Sequence, residues 1–99
     1  MKNKEDFLKI LREIHSRPNT SQRELAYALK FSLGKLNYCL KALQHKGLVK
    51  IENFKKNPNK FVYIYVLTPE GLAKKTKLTI GFMKRKMKEY EDLQKEINE

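Results

Sequence analysis

The sequence predicts a mainly α fold with one small β-hairpin, an α+β arrangement. Three observations carry that expectation. Apolar residues recur at helical spacing in three separate stretches before Leu48; two short β-prone runs divided by turn formers follow; and a long last stretch opens with a helix-start signal at Thr68 and meets no stop signal before Ile97.

The first helix is expected over Glu5–Arg17, where Phe7, Leu11 and Ile14 recur on one side, reinforced by Leu8 and Ile10, with Lys9, Arg12 and Glu13 outward. Pro18 and Asn19 end it. His15 sits near that end, where an imidazolium suits the helix dipole, and it has no second metal ligand nearby in sequence. A second, short helix over Ser21–Lys30 is opened by Ser21-Gln22-Arg23-Glu24, a capping box in which serine and glutamate satisfy each other's orphan amides. Leu25, Ala26 and Leu29 make its buried side. Phe31-Ser32 leaves room only for a tight turn, so the second and third helices must cross steeply, as in a helix-turn-helix.

The third helix spans Ser32 to Gly47, with Ser32 as front cap and Gly47 as back cap. Leu33, Leu36, Leu40 and Leu43 form one apolar stripe, and Cys39 lies at its edge, which reads as a half-buried packing thiol rather than a redox sensor. The opposite side carries Gly34, Tyr38, Lys41, Ala42 and His45, with Lys35 beside them. That face is small, basic and hydrogen-bonding, unlike the Glu/Lys mixture of an idle solvated helix. Leu48–Phe54 and Phe61–Leu67 are then expected as two strands of a hairpin, joined by a six-residue loop, Lys55-Lys56-Asn57-Pro58-Asn59-Lys60. Its lysines suit phosphate contact; they equally suit a solubilising tip that guards against edge pairing.

Thr68 as cap, Pro69 at the first helical position and Glu70 in the first turn start the last helix, expected from Pro69 to Ile97. A helix of that length spans about 43 Å at ~1.5 Å per residue, against about 28 Å for a globule of the preceding residues. Its far half must leave the domain. Yet Ile80, Met83, Met87, Tyr90, Gln94 and Ile97 step alternately by three and four, an apolar a/d seam that asks for a partner, and the simplest partner is a second copy. Gly81 inside the helix and Gln94 at an a position weaken the seam. Lys84 can face Glu91 of an antiparallel partner and Lys86 can face Glu91 of a parallel one, so the direction of pairing stays open. Two regions follow: 1–68 as the compact domain and 69–99 as a C-terminal dimerisation helix.

Composition narrows the function. The chain has 99 residues, 22 Lys/Arg against 11 Asp/Glu and a net charge of +11, which points to a polyanion, nucleic acid before membrane. The excess is concentrated where the helix-turn-helix and hairpin lie. The lone cysteine excludes a disulfide framework and suits a reducing cytosol. No run approaches the ~18 apolar residues of a membrane span and the N-terminus lacks an apolar signal core, so a cytoplasmic protein without membrane attachment is expected. No carboxylate pair, glycine-rich phosphate loop, nucleophile–base set or metal-ligand spacing appears; His15 and His45 stand alone, so no catalytic residue, metal site or cofactor is expected.

The expected partner is therefore double-stranded DNA. The third helix supplies Ser32, Gly34, Lys35, Asn37, Tyr38, Lys41 and His45; the hairpin supplies Lys55, Lys56, Asn57 and Lys60; the second helix supplies Ser21 and Arg23. Gly34 either lets the helix start approach DNA closely or serves only turn flexibility. The dimer interface is expected at Ile80, Met83, Met87, Tyr90, Gln94 and Ile97. The competing expectation is a protein-interaction module whose charge is incidental. RNA binding is a variant, but Phe61, Tyr63 and Tyr65 lie in strands where the core also wants them.

Three helices, a hairpin and a long last helix make a winged helix-turn-helix with a dimerisation arm. SQRELAYAL, then SLGKLNYCLKALQHKGLVK, then YVLTPEG resemble the MarR family of bacterial transcriptional regulators, and SLGK with NFKKNP looks most like its short, exopolysaccharide-associated type. The resemblance covers Ser21 to Gly71 and the last helix in pattern only. It implies that Ser32–Lys46 is the recognition helix and Lys55–Lys60 the wing of a homodimer on a pseudo-palindromic site. The wing lacks the family's acidic-arginine pattern, leaving Lys56 and Lys60 in place of a minor-groove arginine. The added N-terminal segment of larger members is expected to be missing, which would imply a reduced or missing ligand cleft between arms and lobes; any small-molecule effector is unknown.

Overall fold

The computed structural model describes residues 3–58 and 60–99, and the side chains among them except those of residues 3, 54–57, 60 and 61. The order is α1 (Asn3–Ser16), α2 (Gln22–Leu29), α3 (Leu33–His45), β1 (Val49–Asn57), β2 (Lys60–Leu67) and α4 (Pro69–Asn98). The expected architecture is present, with helix ends within about two residues of those anticipated.

The ends obey their local chemistry. Ser21 caps α2 and shares the reciprocal capping box with Glu24. Lys30, in the left-handed conformation (φ 58°), closes α2 and turns the chain, while the Phe31 amide donates to the Ala26 carbonyl at 3.0 Å. Ser32 accepts from the Lys35 amide at the start of α3. Gly47 (φ 74°) ends it, and the next amide, Leu48, reaches back to the Leu43 carbonyl at 2.9 Å, a glycine-terminated helix end.

Ile10, Leu11, Leu25, Leu36, Leu40 and Leu43 are the fully buried centre, where α1, α2 and α3 meet beneath the base of the hairpin. Two expectations about α3 are corrected. Cys39 is 2% exposed, a core residue and not a half-buried one. α3 packs against α1, α2 and β1 together, so its covered face is wider than a stripe facing a single neighbour. Leu33, expected in that stripe, is 53% exposed: as the first residue of the helix it lies where the packing partners no longer cover it.

The strands pair antiparallel, Val49 opposite Leu67 through Lys55 opposite Phe61, with a register shift between Lys55 and Asn57. The expected six-residue loop is therefore corrected to a longer ribbon whose reversal falls between Asn57 and Lys60. Lysines do not oppose extended backbone on a solvent-facing ribbon; proline, lacking an amide hydrogen, does, so the turn contracts around Pro58. At the other end an isolated bridge helps to tie the ribbon down, the Tyr65 amide donating to the Thr20 carbonyl at 3.3 Å.

α4 is continuous through Gly81 and leaves the globule, giving a molecule 66 Å long and about 25 by 21 Å across. Leu78 still packs on the core, whereas beyond Phe82 every side chain of α4 is exposed.

Candidate nucleic-acid interface

The burial of Leu36, Cys39, Leu40 and Leu43 seats α3 firmly and dictates what it offers outward. At about 100° per residue, Gly34, Tyr38, Lys41 and His45 fall on the side opposite that buried set, with Asn37 at its margin. All five are exposed, Tyr38 by 64%. They form one ridge with alternating small, amide, aromatic, cationic and imidazole groups. Nothing lies within 4 Å of where a Gly34 Cβ would be, so the ridge is open at its N-terminal end.

Lys35 stands apart from that ridge. It lies on the flank toward α1, its Nζ 3.4 Å from the Asp6 carboxylate and 4.2 Å from the centre of the Phe31 ring. The ion pair is partly exposed, which makes it weak enough to exchange for another anion. Ser32 is exposed, its hydroxyl occupied in capping. Among the described residues Lys41 makes no ion pair.

Ser21 and Arg23, at the start of α2, face the hairpin across an open hollow of about 350 Å³ that Gln22, Ile51, Tyr63 and Tyr65 also line. The Tyr65 hydroxyl donates to the Gln22 side-chain oxygen at 3.4 Å, so the same hollow joins α2 to the ribbon. Tyr63 and Tyr65 share one face of β2, yet Tyr65 is 6% exposed and Tyr63 67%. The difference is position along the ribbon: Tyr65 lies over the domain and Tyr63 beyond its edge. Of the three strand aromatics the core was expected to want, Tyr65 is buried, Tyr63 is corrected to exposed and the Phe61 side chain lies outside the described ones; strand alternation alone has no signal that separates Tyr63 from Tyr65. Of the hairpin candidates, Lys55, Lys56, Asn57 and Lys60 have backbones in the two strands, and their side chains lie outside the described ones.

Burial pushes the Cys39 thiol above its ordinary range, with the Asp6 carboxylate adding to the effect and Lys35 opposing it. Burial likewise raises the Tyr65 phenol. Both groups are held neutral near pH 7 and act as structure. Among the described residues no group of three or more His, Cys, Asp or Glu converges as a metal site requires, and no helix is long and apolar enough to cross a membrane. An open cleft of about 530 Å³ lies between the end of α1, β2 and the start of α4, lined by Ile14, His15, Leu67 and Leu72 among others.

The family model for winged helix-turn-helix DNA-binding domains matches residues 8–50, from within α1 to the start of β1. Proteins of curated function yield no sequence match. Among solved structures the chain is similar to Staphylococcus aureus MarR in complex with salicylate and kanamycin, at 21% identity and TM-score 0.69, over 94% of this chain and 65% of that one. It is similar to the complex of S. aureus MepR with DNA, at 19% identity and TM-score 0.70, over 94% and 70%. Streptococcus pneumoniae FabT in complex with DNA is a third, at 20% identity and TM-score 0.65, over 88% and 59%. The chain thus spans about two thirds of the length of the structures it matches. In element order, helix-turn-helix and hairpin, it is a winged helix-turn-helix protein with the fold of the MarR-family transcription regulators.

Proposed function

We propose that the chain is a DNA-binding transcriptional regulator of the MarR type that acts as a homodimer, with α3 in the major groove and the hairpin on the flanking backbone or minor groove. The observation that supports this most is the outer ridge of α3, where Asn37, Tyr38, Lys41 and His45 are exposed together on a helix whose other face is buried. Two of the similar structures, those of MepR and FabT, are complexes with DNA.

Most of the affinity comes from counterion release as lysines meet phosphates, so binding falls steeply with salt. Specificity falls to the ridge. Lys41 reaches guanine O6/N7 or phosphate, Asn37 a base edge or backbone oxygen, and Tyr38 a phosphate or a thymine methyl. Lys35 exchanges Asp6 for a phosphate at the margin, and Ser21, Arg23 and Ser32 contact the backbone. Gly34 lets the helix start come close. Two copies, joined through Ile80, Met83, Met87, Tyr90, Gln94 and Ile97, read half-sites separated by one or more whole helical turns of roughly 34 Å each.

Selection of bound fragments from a random DNA pool tests this reading. The expected result is an enriched inverted repeat. A chain that retains no DNA at low salt overturns it and leaves the winged helix as a protein-interaction module.

A further inference from the structure

We infer that the exposed seam of α4 pairs with α4 of a second copy in the antiparallel direction, centred between Lys88 and Glu89. This rests on the homodimer proposed above and adds the direction of pairing, which decides where the two DNA-binding lobes stand.

The seam is unpartnered in the single chain. Met83, Met87, Tyr90 and Ile97 are 55%, 58%, 63% and 82% exposed, and Leu93, which the seam pattern omits, is 58% exposed beside them. The charges on the same helix are segregated. From Gly71 to Lys88 there are only cations among the ionisable groups: Lys74, Lys75, Lys77, Lys84, Arg85, Lys86 and Lys88. From Glu89 onward Glu89, Glu91, Asp92, Glu96 and Glu99 accompany Lys95 alone. Packed helices lie about 8–10 Å apart, which is about one Debye length at physiological salt. A parallel pair therefore sets the cationic block against itself and the acidic block against itself. An antiparallel pair sets each against its opposite.

Pairing within the helix points the same way. Lys86 already reaches Glu89 at 3.4 Å and Lys88 reaches Asp92 at 3.3 Å. Lys84 and Glu91 make no ion pair among the described residues, and both flank the seam at equivalent heptad positions. In the antiparallel arrangement Lys84 of each copy meets Glu91 of the other, twice by symmetry, whereas the parallel one must draw Lys86 away from Glu89. Gln94, which a parallel pair would set against its own copy, donates to the Tyr90 hydroxyl of its own helix at 3.4 Å. The antiparallel register places Ile80 across from Ile97 of the second copy and Met87 across from Tyr90. The lobes then stand at opposite ends of a rod, their Gly71 residues about 50 Å apart along the axis at ~1.5 Å per residue.

Cysteine cross-linking in a Cys39→Ala background tests this, with sedimentation to establish the oligomeric state. Ile80→Cys and Ile97→Cys alter exposed side chains, so the fold is retained. The expected result is a disulfide-linked dimer when the two variants are mixed and mildly oxidised, and none from either alone. Self-linking of Ile80→Cys overturns the antiparallel direction and leaves the homodimer standing. A dimer that forms neither link overturns the seam as its interface, and a chain that sediments as a monomer removes the homodimer itself.

Discussion

A Cβ on Gly71 would collide with the carbonyl oxygen of Leu48. The start of α4 is pressed directly onto the backbone at the α3–β1 corner. Thr68 completes the junction: its amide donates to the same Leu48 carbonyl at 3.1 Å, its hydroxyl donates to the Gly47 carbonyl at 2.6 Å and accepts from the Gly71 amide at 3.0 Å. The arm is thereby fastened to the end of the helix that carries the outer ridge.

Gly71→Ala is expected to destabilise the chain by about 1–3 kcal/mol or more, because the added methyl meets backbone, which cannot swing away. Urea unfolding measures it. A midpoint equal to that of the unaltered chain would mean that the junction is not packed this closely.

Gly34→Ala separates folding from binding. With open space around the site and a helical backbone, alanine is expected to raise stability by up to about 1 kcal/mol. DNA affinity is expected to fall if the helix start approaches the groove. Unchanged affinity would assign this glycine to the turn alone.

Lys41→Ala combined with Tyr38→Ala is expected to reduce the preference for a selected site over random DNA by about tenfold or more, with unchanged circular dichroism. Gel shifts on both DNAs provide the ratio. Equal weakening on both would remove these side chains from base reading.

Replacing Lys55, Lys56 and Lys60 with alanine is expected to weaken binding to all sequences alike and to flatten the slope of log K against log salt by up to about 0.9 for each phosphate that is no longer neutralised. A slope that does not move takes the hairpin out of the interface.

Cys39 gives a pH test. Its folded pKa is raised by burial above the reference value of 9.0, so the native state holds its proton longer than the unfolded chain does. The stability this contributes is fully present below about pH 9 and is lost as pH rises through the folded pKa. Unfolding midpoints should decline above that pH less steeply in Cys39→Ala. Thiol reagents should modify the native chain at pH 8 only as fast as it opens; rapid modification would contradict the burial.

Local signals were legible. The capping box at Ser21–Glu24, the Ser32 and Thr68 caps, the Gly47 stop and the helical spacing of Leu36, Leu40 and Leu43 each depend on residues within a few positions of one another, and the structure reproduces them. The outer ridge of α3 was legible for the same reason, since one helix period places Gly34, Tyr38, Lys41 and His45 together; Ala42, expected on the same face, is half-buried.

What the tertiary structure alone decided concerns neighbours distant in sequence. Cys39 is buried because three elements converge on α3, Leu33 is not because it lies at the end of their reach, and Tyr63 parts from Tyr65 at the edge of the domain. Lys35 turns to Asp6 on α1, and Gly71 meets Leu48 only when α4 folds back onto the corner. Backbone capping and periodicity are short-range, so residues close along the chain specify which segments are helix or ribbon and which face of each is apolar. How deep each face lies, and which charges remain free for a partner, was decided by packing, because burial and ion pairing depend on groups that only the fold brings together.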